Sequence, residues 1–177
     1  MRFSCMNTKR RCWIWIVFGL AMALLLSFFA CTESRQPEVQ KGISDASAPD
    51  FSLKDLTGRN FTLSSFKGKP VLLIFITTWC PTCRSEMPHY KSIYETYGKQ
   101  GLEVVNIDIE EPKNKVSLFA EKYGVPYRML LDEKGEVARK YGIVGIPAMV
   151  LVDKDGNILS RKYLSMDILL ETLFAKK

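Results

Sequence analysis

The chain has 177 residues, 47% of them hydrophobic and 25% charged, with 5 Cys and a formal charge of +6. That length supports one domain with an apolar core of its own, and the composition excludes a disulfide-dense mini-scaffold, a collagen-like repeat and a low-complexity polymer. Arg2, Lys9, Arg10 and Arg11 place +4 of the charge ahead of residue 32, so the remaining +2 gives no nucleic-acid footprint.

In chain order, Lys9-Arg10-Arg11 precede an uncharged run from Cys12 to Cys31. A basic segment followed by an apolar one is an export signal or a membrane anchor, and is set aside from the fold. Positive charge stays on the cytoplasmic side, which puts everything after residue 31 outside the cytoplasm, in the cell envelope. The run reaches the ~20 residues that span a bilayer. Ala30-Cys31 at its end resembles a bacterial lipobox, which implies lipidation of Cys31. A lipidated Cys31 and an uncleaved helix both leave the protein tethered to the membrane. Residues 32–48 are polar, with Pro, Gly and Ser, and read as a flexible spacer. The domain is residues 49–177.

Within it, 49–55 and 59–65 alternate about Leu56-Thr57-Gly58, as in a β-hairpin. Pro70 to Thr77 is continuously apolar, as for a strand buried on both faces. Residues 81–98 form a helix with Pro81 in its first turn, Gly98 past its end and a kink expected at Pro88. Leu102–Ile109 is a strand, 111–124 a helix closing on Gly124, Tyr127–Leu131 a short strand and 133–142 a short helix. Ala148–Val152 and Asn157–Tyr163 flank a turn at Asp153-Lys154-Asp155-Gly156, and Ser165–Ala175 is a last helix with Ser165 as N-cap. Strands alternating with helices make this an α/β fold, a sheet with covered faces and a terminal antiparallel hairpin.

The chemistry-bearing segment ends the apolar strand: Trp79-Cys80-Pro81-Thr82-Cys83. A closed zinc site needs about four ligands, and beyond residue 31 the sequence offers no other Cys and only His89. A structural disulfide here would close too small a loop to constrain the unfolded chain much. A strand running into this segment places the Cys80 sulfur at a helix N-terminus, where free N–H groups and the macrodipole favour a thiolate. Cys80 is then the attacking sulfur, and Cys83, one turn inside, the resolving thiol. No cofactor beyond this redox-active Cys80–Cys83 pair is expected, and no metal.

Residues 49–177 resemble the membrane-tethered thioredoxin-like reductases of the ResA, TlpA and CcmG group. Trp-Cys-Pro-Thr-Cys followed by Arg84-Ser85-Glu86-Met87-Pro88 fits their active-site motif. Gly145-Ile146-Pro147 before an apolar strand fits their cis-proline loop, and 110–131 resembles their central insert. The resemblance implies a thioredoxin fold and a reducing role outside the cytoplasm. It also implies partners that are protein thiols and disulfides, apocytochrome c among them, and a membrane electron donor.

The same resemblance assigns Glu86 to proton transfer; it lies one helical turn beyond Cys83. The buried Asp that many thioredoxins carry six residues before the first Cys is replaced by Ile74. Trp79, Pro81, Ile146 and Pro147 are candidates for substrate contact, with Trp79 on the rim and Ile146–Pro147 cis. His89 reads as a surface residue of the kinked helix, and Tyr123, Tyr127 and Tyr141 as packing. Two other classes compete. A Sco-type copper chaperone wants a longer Cys spacing and a distant His. A peroxiredoxin-like peroxidase matches Thr77 and Cys80 but has Leu73 where that motif has Pro.

Overall fold

In the computed structural model the described residues are 47–162 and 166–175. The apolar run with Cys31 and the Ser165 cap therefore lie outside the described residues. Strand β3 (Val71–Ile76) is buried at every position, as its unbroken apolar sequence predicts. Around it stand β1 (Ser52–Asp55), β2 (Asn60–Thr62), β4 (Glu103–Ile109), β5 (Arg128–Asp132), β6 (Ala148–Val152) and β7 (Ile158–Lys162). They form one mixed sheet in the order β2-β1-β5-β4-β3-β6-β7. Four helices cover it: α1 (Pro81–Tyr97), α2 (Lys113–Tyr123), α3 (Glu136–Lys140) and α4 (Asp167–Phe174).

Alternation along the strands divides the core in two. Leu72, Ile74 and Ile76 of β3 face Met87, Tyr90 and Ile93 of α1, together with both cysteines. Leu73 and Phe75 face the other way, onto Val137 and Ala138 of α3 and onto Tyr141. Strands β3 and β4 run parallel, with Ile76 opposite Asp108. Strands β3 and β6 run antiparallel, with Phe75 opposite Ala148. The C-terminal end of β3, the end of β4 and the start of β6 thus meet at one pole of the sheet.

The expected elements are present, with shifts of up to three residues at their ends. The first hairpin is shorter than its alternation implies, because Leu63–Phe66 leaves the sheet as a 3₁₀ turn that buries Leu63. Helix α1 continues through Pro88, whose missing N–H costs only the bond to the Arg84 carbonyl. The last helix starts at Asp167, with Met166 as its N-cap. His89 is half-buried, with Nε2 3.3 Å from Asp167 Oδ1, so it ties α1 to α4 and is not a free surface residue. Tyr141 is buried, and its hydroxyl donates to the Pro49 carbonyl at 2.8 Å.

Candidate active site

Strand β3 ends at Ile76, and four residues later Cys80 is the N-cap of α1, with extended backbone (φ −69°, ψ 119°) and Pro81 in the first turn. Pro81 suits that position because the first-turn N–H it lacks has no partner inside the helix. The cap is made by sulfur: the Cys83 N–H donates to Cys80 Sγ at 3.2 Å. Both cysteines are free thiols. Cys80 is 5% exposed and Cys83 is fully enclosed. Burial, reinforced by the neighbouring Cys80 sulfur, pushes the Cys83 thiol up to about 12. The two sulfurs therefore differ in kind. One sits at a helix terminus with a donor aimed at it, and the other is sealed and protonated.

The Ile146–Pro147 bond is cis, as expected. Continuing the β3–β6 register one step past Ala148 puts Pro147 beside the end of β3, at the pole that carries Cys80. Ile146 packs against the core cluster that contains both cysteines. Trp79 stands out from the surface, 64% exposed. It shares an open groove with Thr77, Ile109, Val144 and Ile146. Trp79, Pro81, Ile146 and Pro147 are thus grouped round the dithiol. Glu86 is half-buried on α1, close enough to act on Tyr90 electrostatically, as the two cysteines also do.

Three features escaped the sequence reading. Arg84 reaches back over the helix start, with Nη2 donating to the Trp79 carbonyl at 2.6 Å and Nε to the Cys80 carbonyl at 3.4 Å. Glu111, buried just beyond β4, accepts from the Thr78 N–H at 2.5 Å and from the Thr78 hydroxyl at 2.7 Å. Asp108 is completely buried on β4. Asn106 and Asp108 alternate as polar positions within Glu103–Ile109, and that pattern in an otherwise apolar strand was the available signal. The thioredoxin-type acid position, Ile74, lies directly opposite Asn106, so buried polarity has moved one strand across.

Residues 45–161 match the AhpC/TSA family. The chain belongs to that family. Its curated relatives include the thiol-disulfide oxidoreductase ResA of Geobacillus thermodenitrificans strain NG80-2, 40% identical over 113 residues, which are 64% of this chain and 65% of that protein. The ResA of Halalkalibacterium halodurans is 31% identical over 156 residues, covering 87% of each. The chain thus spans just under two-thirds of the length of the first of these relatives, 65%. Among solved structures, a putative thiol:disulfide interchange protein DsbE from Chlorobium tepidum superposes with a TM-score of 0.65 at 29% identity, over 73% of this chain and 91% of that one. In fold and sequence the chain is thus similar to thioredoxin-like proteins named as thiol-disulfide oxidoreductases.

Of the peroxidase motif, Thr77 and Cys80 both stand buried at this pole. Leu73, at the position that motif reserves for Pro, is enclosed within β3 on the sheet face away from Cys80. Among the described residues, no three His, Cys, Asp or Glu side chains converge as ligands for a metal.

Proposed function

We propose that this protein is a thiol-disulfide oxidoreductase that reduces protein disulfides through Cys80 and Cys83. The observation that carries this is the asymmetry of the pair: a capped, helix-terminal sulfur at Cys80 above a sealed, protonated thiol at Cys83. Cys80 attacks one sulfur of a substrate disulfide, breaking the S–S bond and releasing one substrate thiolate, which takes up a proton. Cys83 then gives up its proton and attacks Cys80 Sγ. That step forms the Cys80–Cys83 disulfide and releases the second substrate thiol. Two electrons pass to the substrate, and an external dithiol donor must return them.

Glu86 is the candidate for taking the Cys83 proton. The groove beside Trp79, Ile146 and Pro147 is the candidate seat for an extended substrate segment, since the missing N–H of Pro147 keeps that edge open to a partner strand. The finer reading is of a domain outside the cytoplasm, tethered by residues 1–31 or by a lipid on Cys31. It would act on apocytochrome c thiols or other envelope disulfides and be recharged by a membrane electron donor. The basic-then-apolar N-terminus and the ResA relatives support it.

Trapping tests the cysteine roles. Cys83→Ala should accumulate mixed disulfides through Cys80, visible on non-reducing gels and by peptide mass spectrometry, whereas Cys80→Ala should abolish exchange. Mixed disulfides formed through Cys83 would reverse the assignment.

A further inference from the structure

Asp108 is the least accounted-for group in the described residues. It is fully buried, and neither carboxyl oxygen has a hydrogen-bond donor. Its strand neighbours in register are Ile76 on β3 and Leu131 on β5, both apolar. The titratable groups that α1 brings over this face of the sheet are Cys80, Cys83, Glu86 and Tyr90, with Tyr127 behind them. The charge that acts on Asp108 is that of Glu111, whose carboxyl lies within hydrogen-bonding reach.

Two ionised carboxylates facing each other have no proton to share, so both Asp108 oxygens are left without a donor. One proton between them turns the same contact into a hydrogen bond and removes one of two buried like charges. The other side of Glu111 is already committed, holding the backbone and side chain of Thr78, two residues ahead of Cys80.

The geometry points to Asp108 and Glu111 as a carboxyl pair that holds one shared proton and, through Thr78, fixes the loop that presents Cys80. Both are positioning residues; neither touches the sulfur. With the proton in place, Asp108 donates to Glu111, and Glu111 keeps its two bonds to Thr78. When it is lost, the two charges repel inside an apolar face, Glu111 is driven off Thr78, and the Thr78–Cys80 loop loses its anchor. Burial, then the Glu111 charge, pushes Asp108 up to about 8, which puts the change on the alkaline side of neutrality. This inference rests on the exchange reaction proposed above only in its last step, from loop to rate.

The test follows carbon shifts of the Asp108 and Glu111 carboxyls and the amide shift of Thr78 from pH 4 to pH 10 in the full chain. In parallel, the reaction of Cys80 with a small aromatic disulfide is timed. The Asp108 carboxyl should titrate on the alkaline side of neutrality, with the Thr78 amide following that step. Above that step the wild-type rate should fall about fivefold below that of Asp108→Asn, whose amide donates to Glu111 at every pH. In Asp108→Asn the Thr78 step should vanish; in Glu111→Gln, which also leaves a single carboxyl, it should vanish too. A Thr78 amide that ignores the carboxyls, or an identical alkaline break in Asp108→Asn, overturns the inference. Coupled titration of Thr78 without any disulfide exchange would sustain the pair and remove the oxidoreductase reading instead.

Discussion

Asp55 and Asp108 are the same residue, at 4% and 0% exposure, yet the fold treats them oppositely. Asp55, at the end of β1, receives the N–H and hydroxyl of Thr57 and the N–H and Nε of Arg59. Burial alone would raise it, but the hydrogen bonds from Thr57 and Arg59, helped by the Arg59 charge, hold it below the usual carboxylate range. Asp108 has no donor and another carboxyl beside it, and burial sends it up. Partners, not depth, decide whether a buried acid is charged. The acid that closes a turn is satisfied; the unsatisfied one stands under the loop that carries the reactive sulfur.

The largest effect should come from breaking the satisfied member. Asp55→Ala strands several donors, and urea unfolding at pH 7 should show a loss of about 2–4 kcal/mol. Because the folded protein holds Asp55 low, its contribution is present above the unfolded value near 3.8 and lost as pH falls through the lower folded one. Wild-type stability should therefore drop in acid more steeply than that of the variant.

For Asp108 the sign reverses. Its contribution is complete below the unfolded value of 3.8 and is lost as pH rises through the folded value of about 8. Asp108→Asn should consequently be more stable than wild type at pH 9, by roughly 1–3 kcal/mol, and the advantage should shrink toward pH 4. Equal stability of the two proteins at both pH values would erase the contrast with Asp55. The smallest effect belongs to Glu110, just past the end of β4 between the buried acids Asp108 and Glu111. Its carboxylate pairs with Arg139 at 3.3 Å, with both side chains more than half exposed. Glu110→Gln should shift the urea midpoint by an amount corresponding to no more than about 0.5 kcal/mol.

What could be read from the sequence follows from how local each signal is. The unbroken apolar run into Trp79-Cys80-Pro81-Thr82-Cys83 specifies a buried strand, a helix start and two unlike thiols within fourteen consecutive residues. Pro147 was legible for the same reason, as a proline opening an apolar strand. The contact between Glu111 and Thr78 spans 33 residues and depends on β3 and β4 ending at one pole. No local pattern encodes it. Arg84 entered only as a member of the motif after Cys83, and only the tight turn ahead of Cys80 brings two carbonyls under its guanidinium. Glu86 was singled out by motif, whereas Asp108 needed the register with Ile76 to show that it is enclosed.

Ser47 bridges to Asn157, and the Ala48 N–H donates to the Gly156 carbonyl, both at the β6–β7 turn. That turn follows Val152, which pairs with Val71 at the start of β3, so it lies a strand's length, about 20 Å, from the end that leads to Cys80. The polypeptide therefore enters the domain at its rear. A bead or a fused carrier joined ahead of Ser47 would grip this domain by a handle at the end of the sheet away from the Cys80 sulfur.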